Sequence, residues 1–259
     1  MLADMSLKTF SKRLRKKIKK ALWRPEHYAG VMVSHPKSGR TWLRVMLDEV
    51  GIPFECTHDG VTAARPFDQL TPCRRKMYRQ KPVVFVYRDP RDTVVSYFFQ
   101  RTLRTQRYEG TMSEFIRDPH FGIEKIIRFN LAWAQLGPDL PAFLPVSYET
   151  LRVGPAAMMR SIVDFINAVV SDVELDQVCA NNTFEKMRTR EATGAYNDRY
   201  RRMLRPASND PESFKVRRGK IAGFTDYLTP EDITYCDDIL MRYEYAQRLT
   251  RLSPDGGIS

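Results

Sequence analysis

Short apolar runs alternate along the chain with longer segments whose apolar residues recur every three or four positions. The runs have the length of buried strands, and the longer segments have the spacing of amphipathic helices. Strands that alternate with helices are typical of a parallel sheet with helices on both faces. The predicted strands lie in GVMVSHP, IPFECTH, KPVVFVY and PAFLPVSYETL. The predicted helices are TWLRVMLDEV, DPRDTVVSYFFQRTL, residues 113–118, residues 123–136 and GPAAMMRSIVDFINAVV.

The last third of the chain is less regular. Shorter helices are predicted between residues 174 and 188, and residues 189–224 are predicted to form a long loop because their polarity is mixed and aperiodic. A closing helix is expected over TPEDITYCDDILMRYEYAQ, with Thr229 as its N-cap. By the same signals, Asp89 is the predicted N-cap of the helix in DPRDTVVSYFFQRTL, with Pro90 as its first residue. The pattern predicts an α/β fold in which residues 29–250 form a single domain with a central parallel sheet flanked by helices. Residues 251–259 are predicted to form a flexible C-terminal tail.

The first 28 residues form a separate basic segment. Of the net charge of +11, residues 1–24 carry +8 from nine Lys/Arg and one acid, while the other 33 basic and 30 acidic groups leave +3. This segment is predicted to be an amphipathic helix that packs on the domain, lies on an anionic membrane through residues 7–22, or binds nucleic acid. The nearly balanced body argues against nucleic acid. The apolar face consists of Leu7, Phe10, Leu14, Ile18 and Leu22.

The overall composition fits a globular protein, with 42% hydrophobic and 28% charged residues. No apolar run approaches the roughly 18 residues of a spanning helix, and the N-terminus lacks the apolar stretch of a signal peptide. The four cysteines lie far apart with no CxxC pair, which predicts reduced thiols and no metal site. We therefore expect a cytoplasmic protein, with peripheral contact at the inner face of a membrane as an option for its N-terminal helix.

The clearest chemistry lies in SHPKSGRTW, where the first predicted strand meets a helix. Backbone N–H groups, the helix dipole, a lysine and two hydroxyls converge there, as in loops that bind phosphate. The architecture is therefore predicted to be P-loop-like and nucleotide-binding. The Walker order is nevertheless absent, because Lys37 precedes Gly39. The alternative is an ordinary strand–helix connection with a surface lysine.

Two further segments supply groups that suit anions. Arg88 follows a predicted strand at the edge where open α/β sheets bind ligands, and Ser96 lies two turns along the next helix. Farther along, Arg217 and Arg218 offer guanidinium forks, and Gly219 allows a close backbone approach. The alternatives are a structural ion pair for Arg88 and a solvated basic loop for the second segment.

Five segments together resemble the motifs of the cytosolic-type sulfotransferase family in order and approximate spacing. They are PKSGRTW, YRDPRDTVVSYF, VSYETL, NTFEKM and RRGKIAGFTDYLT. The resemblance covers roughly residues 30–245 and is closer to the shorter, bacterial-style members. It implies an enzyme that transfers a sulfuryl group from 3′-phosphoadenosine 5′-phosphosulfate (PAPS) to a hydroxyl or amine. The by-product would be 3′,5′-adenosine bisphosphate (PAP), and no metal would be required.

The resemblance also implies residue roles. The residues that match the loop around the 5′-phosphosulfate are Lys37, Ser38, Gly39, Arg40 and Thr41. The residues that match the 3′-phosphate ligands are Arg88, Ser96, Arg217, Arg218 and Gly219. Trp42 and Phe184 match the two aromatics beside the adenine, and Tyr148 matches a residue that contacts the base. Lys37 would also stabilise the charge that develops on the leaving oxygen.

A general base is expected for the acceptor. The resemblance places a histidine after the second strand, which corresponds to His58 in the pair Thr57–His58. An imidazole with an ordinary pKa of about 6.5 suits this task. His35, two residues before Lys37, is the rival, and a carboxylate or no base is the third option.

Several questions stay open at this point. Arg40 stands where the animal enzymes usually have threonine, and its role is unassigned. The acceptor is a small molecule, a sugar or a lipid headgroup, and the oligomeric state is undetermined. The alternative functions are a nucleotide-dependent kinase, a non-catalytic binder that acts through the N-terminal helix, and an inactive nucleotide-binding relative.

Overall fold

The computed structural model of the protein describes residues 28–61, 76–196, 200 and 203–250. These residues form one central parallel sheet flanked by helices, which confirms the predicted α/β fold. The predicted N-terminal amphipathic helix with its membrane contact, and the predicted C-terminal tail, lie outside the described residues.

The sheet has four strands in the order β2-β1-β3-β4. The strands are β1 Gly30–Ser34, β2 Phe54–Thr57, β3 Val83–Tyr87 and β4 Phe143–Ser147. All three neighbouring pairs are parallel. All four strands therefore end at the same edge of the sheet. The chain places β2 on one side of β1, and β3 and β4 on the other side.

Helices cover both faces of this sheet. They are α1 Arg40–Glu49, α2 Lys76–Gln80, α3 Pro90–Phe99, α4 Met112–Arg117, α5 Ile123–Leu136, α6 Tyr148–Val153, α7 Pro155–Phe165, α8 Asp172–Asn181, α9 Phe184–Thr193, α10 Pro230–Arg242 and α11 Tyr245–Thr250. Within the described residues, none of these helices has the length and apolar character needed to cross a membrane.

The strands are apolar throughout because both faces of the sheet are buried. On one face, Met32 and Val84 pack with side chains of α1 and α7. On the other face, Val33 and Phe85 pack against Trp133 of α5. Successive side chains of each strand thus pack into cores on opposite faces of the sheet. This packing holds the edge of the sheet rigidly.

The predicted helix starts are confirmed at two positions. Asp89 accepts a hydrogen bond from the backbone N–H of Arg91 at 2.8 Å, and Pro90 follows as the first residue of α3. Thr229 accepts from the backbone N–H of Asp232 at 3.2 Å, just before α10. These caps satisfy backbone donors that the first turn of a helix leaves unpaired.

Two predictions for the last third of the chain were wrong. Residues 189–224 are not all loop, because α9 continues to Thr193 with Glu191 on its buried face. Short 3-10 turns also occur at Pro211–Ser213 and Gly223–Asp226. The closing helix ends at Arg242, since Glu244 has a φ of 48° that interrupts the helix before α11.

The helix after β3 also changes character along its length. Its α-helical part ends at Phe99, and residues Gln100–Arg104 form a π-helical turn. Such turns occur frequently at functional sites. This turn brings Gln100 and Arg101 to the wall of the cavity described next.

Candidate active site

Each strand of the sheet ends beside a predicted site residue. Lys37 follows β1, His58 follows β2, Arg88 follows β3 and Tyr148 follows β4. These side chains line one cavity of about 340 Å³ at the carboxyl edge of the sheet. The chain leaves β1 and β3 on opposite sides of the sheet, and open α/β sheets form a ligand crevice at such a point.

The structure brings together nearly all of the residues predicted from the sequence. The predicted residues that line the cavity are Lys37, Gly39, Arg40, Thr41, Trp42, His58, Arg88, Ser96, Tyr148, Phe184, Arg217, Arg218 and Gly219. Ser38 lies beneath the turn instead. Its side chain is buried, and its hydroxyl has no hydrogen-bond partner among the described residues.

The turn after β1 has a backbone that depends on glycine. Gly39 has a φ of 88°, and a Cβ atom at this position would lie 2.3 Å from the Tyr148 ring. Lys37 has a φ of 75°, which is uncommon outside glycine. The turn therefore packs its backbone directly on an aromatic ring, and the N-terminus of α1 faces the cavity.

Lys37 lies half-buried among other cations. Its ammonium donates to the backbone carbonyl of Lys215 at 3.4 Å. Burial, followed by the charges of Lys215 and Arg104, lowers the pKa of Lys37 well below its ordinary value. An anion in the cavity would counteract these effects and favour the protonated lysine.

Arg88 is held by groups on three sides. Its guanidinium lies 3.2 Å from the Asp92 carboxylate and 4.4 Å from the centre of the Tyr148 ring, and it donates to the Lys220 carbonyl at 2.9 Å. Asp92 also accepts from the backbone N–H of Phe224 at 2.9 Å. The alternative interpretation of Arg88 as part of a structural ion pair is thus correct, and the same arginine also faces the cavity.

One arginine lies near both candidate adenine-stacking residues. The Arg152 guanidinium is 5.8 Å from the Trp42 ring and 5.9 Å from the Phe184 ring. The Trp42 indole N–H donates to the Asn182 carbonyl at 2.7 Å, which fixes the plane of the ring. A Cβ atom at Gly219 would lie 2.5 Å from the Phe184 ring, so this segment also needs glycine. Both rings are partly exposed, which distinguishes them from core residues.

The His58 imidazole is held at both ring nitrogens. Its Nδ1 lies 2.7 Å from the Ser34 carbonyl oxygen, and its Nε2 lies 2.8 Å from the Arg40 guanidinium. Arg40 also donates to the Thr57 carbonyl. Desolvation by the surrounding protein, followed by the Arg40 charge, lowers the pKa of His58 below its ordinary 6.5. The residue is nevertheless exposed and lines the cavity.

The rival base His35 lies in the core. Its ring is fully buried and makes edge contacts with Tyr97 and Phe129, whose centroids are 5.2 and 5.6 Å away. Burial lowers the pKa of His35 to about 3. Asp92, the carboxylate among the residues that line the cavity, is engaged by Arg88 and by a backbone N–H. Among the candidates for the base, His58 therefore has the accessible position.

Sequence reasoning missed several cations that line the cavity. They are Arg44, Arg101, Arg152, Lys215 and Lys220. Arg44 and Arg152 each lie four residues after a predicted site residue on the same helix. Residues with this spacing share one helix face, so the sequence could have indicated that both arginines face the site. Burial, followed by the charges of Arg104 and Arg40, lowers the pKa of Lys215 to about 8. The cavity is therefore strongly electropositive.

Glu191 lies behind one wall of this cavity and holds the backbone of that wall in place. Its buried carboxylate accepts from the backbone N–H groups of Lys215 at 2.7 Å and Val216 at 2.8 Å. It also pairs with Arg104 at 3.4 Å, and Arg104 in turn donates to the Ser213 carbonyl at 2.6 Å. Neither the composition nor the periodicity of α9 indicated this role, since its partners lie 24 or more residues away.

The arginines beyond this wall already have acidic partners. Arg217 pairs with Glu212 at 2.7 Å and also donates to the Tyr227 hydroxyl. Arg218 lies 3.3 Å from Glu212 and 3.2 Å from Asp226. These partners orient the two guanidinium groups at the cavity rim, where each retains further donors.

Comparison with protein families gives a match to the sulfotransferase domain over residues 75–250. Mouse sulfotransferase 1B1 is 22% identical over 242 residues, which span 77% of this chain and 77% of that protein. Cytosolic sulfotransferase 17 of Arabidopsis thaliana is 27% identical over 172 residues, which span 61% of this chain and 48% of that protein.

Solved structures have the same fold. Mouse sulfotransferase SULT7A1 complexed with PAP superposes with a TM-score of 0.65 and 18% identity, covering 90% of this chain and 88% of that one. Retinol dehydratase in a complex with retinol and PAP superposes with a TM-score of 0.57 and 19% identity, covering 90% and 67%.

Replacing Glu191 with glutamine should destabilise the protein strongly. The substitution leaves the buried Arg104 without its counter-charge, and losing one partner of such a pair costs about 3–5 kcal/mol. Urea unfolding of the wild type and Glu191→Gln measures this difference. Asp238→Asn on the exposed face of α10 is the control, with an expected change within about 0.5 kcal/mol. Equal midpoints for Glu191→Gln and the control would contradict the role of Glu191.

Proposed function

Because the chain belongs to the sulfotransferase domain family, we propose that it transfers the sulfuryl group of PAPS to a hydroxyl or amine of a small-molecule acceptor. One observation carries this proposal. The turn after β1, the arginine after β3 and the segment 217–219 lie far apart in sequence, yet they line one cavity with two aromatic rings. That arrangement suits a nucleotide with two separate anionic groups.

The polar atoms of this chain fit such a nucleotide. Among the described residues, three buried polar atoms without a partner belong to the proposed site: the Ser38 hydroxyl, Arg88 Nε and Arg217 Nε. Buried polar groups normally have hydrogen-bond partners, and each exception calls for an explanation such as a ligand. The excess of positive charge around the cavity suits the phosphate and sulfate groups of PAPS.

We assign the two ends of the nucleotide to two groups of residues. The 5′-phosphosulfate would be held by Lys37, Ser38, Gly39, Arg40 and Thr41 at the N-terminus of α1. The 3′-phosphate would be held by Arg88, Ser96, Arg217, Arg218 and Gly219. Trp42, Phe184 and Tyr148 would contact the adenine, and the Arg152 guanidinium lies near the first two rings.

Lys37 is assigned to the leaving oxygen. When bound, PAPS supplies the activated sulfuryl group, and the chemistry resembles phosphoryl transfer with charge growing on the leaving side. The Lys37 ammonium and the N–H groups of the turn stabilise that charge. Burial, followed by the charges of the surrounding cations, lowers the pKa of Lys37 in the free protein. Binding an anionic nucleotide should therefore favour proton uptake by this lysine.

His58 is assigned as the general base, acting through Nε2. Its Nδ1 faces a carbonyl that can only accept, so Nδ1 carries the proton and Nε2 carries the lone pair. Nε2 can then receive the proton of the acceptor hydroxyl or amine. A lowered pKa keeps the imidazole unprotonated at neutral pH, which is the form that a base requires.

The acceptor end of the cavity suggests a substrate with its own negative charge. His58 and Lys215 line this end together with Tyr97 and Arg101. Among the described residues, neither Lys215 nor Arg101 forms an ion pair with a carboxylate. Their two positive charges are additional to those of the residues assigned to the phosphosulfate. We therefore favour acceptors that combine an aromatic or apolar body with a carboxylate, phosphate or sulfate.

PAP should stabilise the folded protein. At 100 times its dissociation constant, the gain is about 2.7 kcal/mol, which thermal unfolding with and without PAP measures. ATP at the same concentration separates a sulfotransferase from a kinase, because a kinase would be stabilised more by ATP. The absence of any PAP effect on a folded sample would refute the proposal.

Arg88→Ala should weaken this PAP stabilisation. Losing a hydrogen-bonded charge costs about 1.5–3 kcal/mol, or roughly 10- to 150-fold in affinity. Each variant is compared with its own unliganded midpoint, because Asp92 loses its partner in Arg88→Ala. Arg160→Ala, in a peripheral ion pair with Asp172, should bind PAP like the wild type. Equal PAP affinity in both variants would remove Arg88 from the nucleotide site.

His58→Gln should spare PAP binding and lower transfer by about 10²–10⁴-fold, because the general base is lost. In the wild type, kcat/KM for the acceptor should rise with pH through the His58 pKa, which lies below 6.5, and then stay level. The control His120→Gln removes an exposed histidine and should transfer normally. Normal turnover by His58→Gln would assign the base elsewhere.

Lys215→Met should reduce the preference for anionic acceptors. A matched probe pair is 4-hydroxybenzoate and its neutral methyl ester, compared by kcat/KM. We expect the anion to be preferred and the preference to fall by about tenfold or more in Lys215→Met, as for a lost charge-assisted hydrogen bond. Lys220→Met is the control, because Lys220 already pairs with Asp226 at 2.8 Å. A wild-type preference for the ester would contradict an anionic acceptor.

A further inference from the structure

The contacts of His58 define both the proton position and the partner of its lone pair. The Ser34 carbonyl, 2.7 Å from Nδ1, can only accept a hydrogen bond. The Arg40 guanidinium, 2.8 Å from Nε2, can only donate one. The neutral imidazole with its proton on Nδ1 satisfies both contacts. The Nε2 lone pair, which a base must use, is therefore occupied by Arg40.

Arg40 blocks the base by direct contact. The acceptor hydroxyl or amine would have to occupy the position next to Nε2 that the guanidinium now fills. A second contact, from Arg40 to the Thr57 carbonyl, holds the guanidinium at the end of β2. In this arrangement His58 is correctly oriented, but its lone pair is not available for proton transfer.

The contacts that hold Arg40 are of a kind that an anion can displace. Both of its partners are uncharged, and among the described residues Arg40 forms no ion pair with a carboxylate. Its backbone is the first residue of α1, at the helix N-terminus assigned above to the phosphosulfate. An arginine binds an anionic oxygen more strongly than a neutral acceptor, and its planar fork matches phosphate geometry.

We infer that Arg40 caps Nε2 of His58 in the free protein and releases it when the phosphosulfate of the donor binds at the turn after β1. Arg40 is then a positioning residue that makes the base available only after the donor has bound. The inference rests on the proposed function, since it needs PAPS in this cavity. It also gives a role to the arginine that departs from the family pattern.

Other charged groups near His58 are consistent with this role for Arg40. After desolvation, Arg40 is the largest influence on the pKa of His58, ahead of Lys215 from the neighbouring loop. His35 is also close, but it is itself neutral because burial lowers its pKa. The Asp59 carboxylate accepts from a buried tyrosine hydroxyl at 2.7 Å. Arg40 is therefore the charged group that contacts the reactive nitrogen.

The experiment follows the His58 ring by NMR in full-length protein labelled with ¹⁵N-histidine. The His58 signals are identified by their loss in His58→Gln. Titrations from about pH 3 to 8, a range that includes the lowered pKa of His58, compare the wild type, Arg40→Met and Arg40→Lys, each with and without saturating PAP. Arg40→Met removes the charge and the donors, whereas Arg40→Lys retains a cation with N–H donors but loses the planar fork of the guanidinium.

In the free wild type we expect the neutral Nδ1–H form except at the acidic end of this range, because the pKa of His58 is lowered to about 3. In Arg40→Met the pKa of His58 should rise by at least about one pH unit, because a nearby positive charge is gone and solvent can reach the ring. Arg40→Lys should stay close to the wild type. PAP should raise the pKa in the wild type and change the Nε2 shift as its donor leaves, with a smaller effect in Arg40→Met.

Two results would overturn the inference. One is the same His58 pKa in the free wild type and in Arg40→Met. The other is a PAP-induced change of equal size in both proteins, which would mean that the nucleotide acts on His58 by its own charge. Should Arg40→Met not fold, an unchanged Nε2 shift on adding PAP to the wild type would also overturn it. A protein that binds no PAP would instead refute the proposed function, which thermal unfolding detects separately.

Discussion

The accumulation of positive charge at one edge of the sheet is the constraint on which the site depends. Lysines and arginines face a common cavity from the turn after β1, from α1, from the end of β3, from the π-helical turn 100–104, from α6 and from the segment 215–220. Such groups repel one another, and the fold must hold them in place without neutralising them all. Two buried carboxylates do this, one within the cavity wall and one behind it. Asp92 holds Arg88, and Glu191 holds Arg104 with the backbone of Lys215. The uncompensated charge is left facing the ligand.

The parallel sheet explains why these groups meet at all. The residues that follow parallel strands all lie at one edge of the sheet. The crevice forms between β1 and β3, where the chain continues to β2 on one side and to β4 on the other. The strands are buried on both faces, so the edge is a rigid platform. Aromatic rings then pack directly on glycine backbones, Tyr148 on Gly39 and Phe184 on Gly219. Rigid strand ends and close backbone packing place the candidate residues with little freedom.

The Arg40–His58 contact joins the two functions of the cavity. One residue belongs to the turn assigned to the donor, and the other is the proposed base for the acceptor. Their contact spans 18 positions of sequence and two neighbouring strands. A charged residue shared between two sites can make one site respond to the occupancy of the other, provided that its affinity for the two partners differs. The neutral partners of Arg40 in the free protein meet that condition.

The sequence by itself determined the local elements and the order of the motifs. Apolar period predicted the four strands and most helices, and side-chain caps predicted the starts at Asp89 and Thr229, because these signals act within one or two turns of the chain. The motifs also identified most of the residues that line the cavity. Only the tertiary structure showed that His35 is buried and that Arg152 lies near both Trp42 and Phe184. It alone showed that the buried Glu191 carboxylate of α9 pairs with Arg104 and that Arg40 contacts His58. These features depend on partners tens of residues away, and a choice among distant partners is made by packing and charge in three dimensions, which no local pattern encodes.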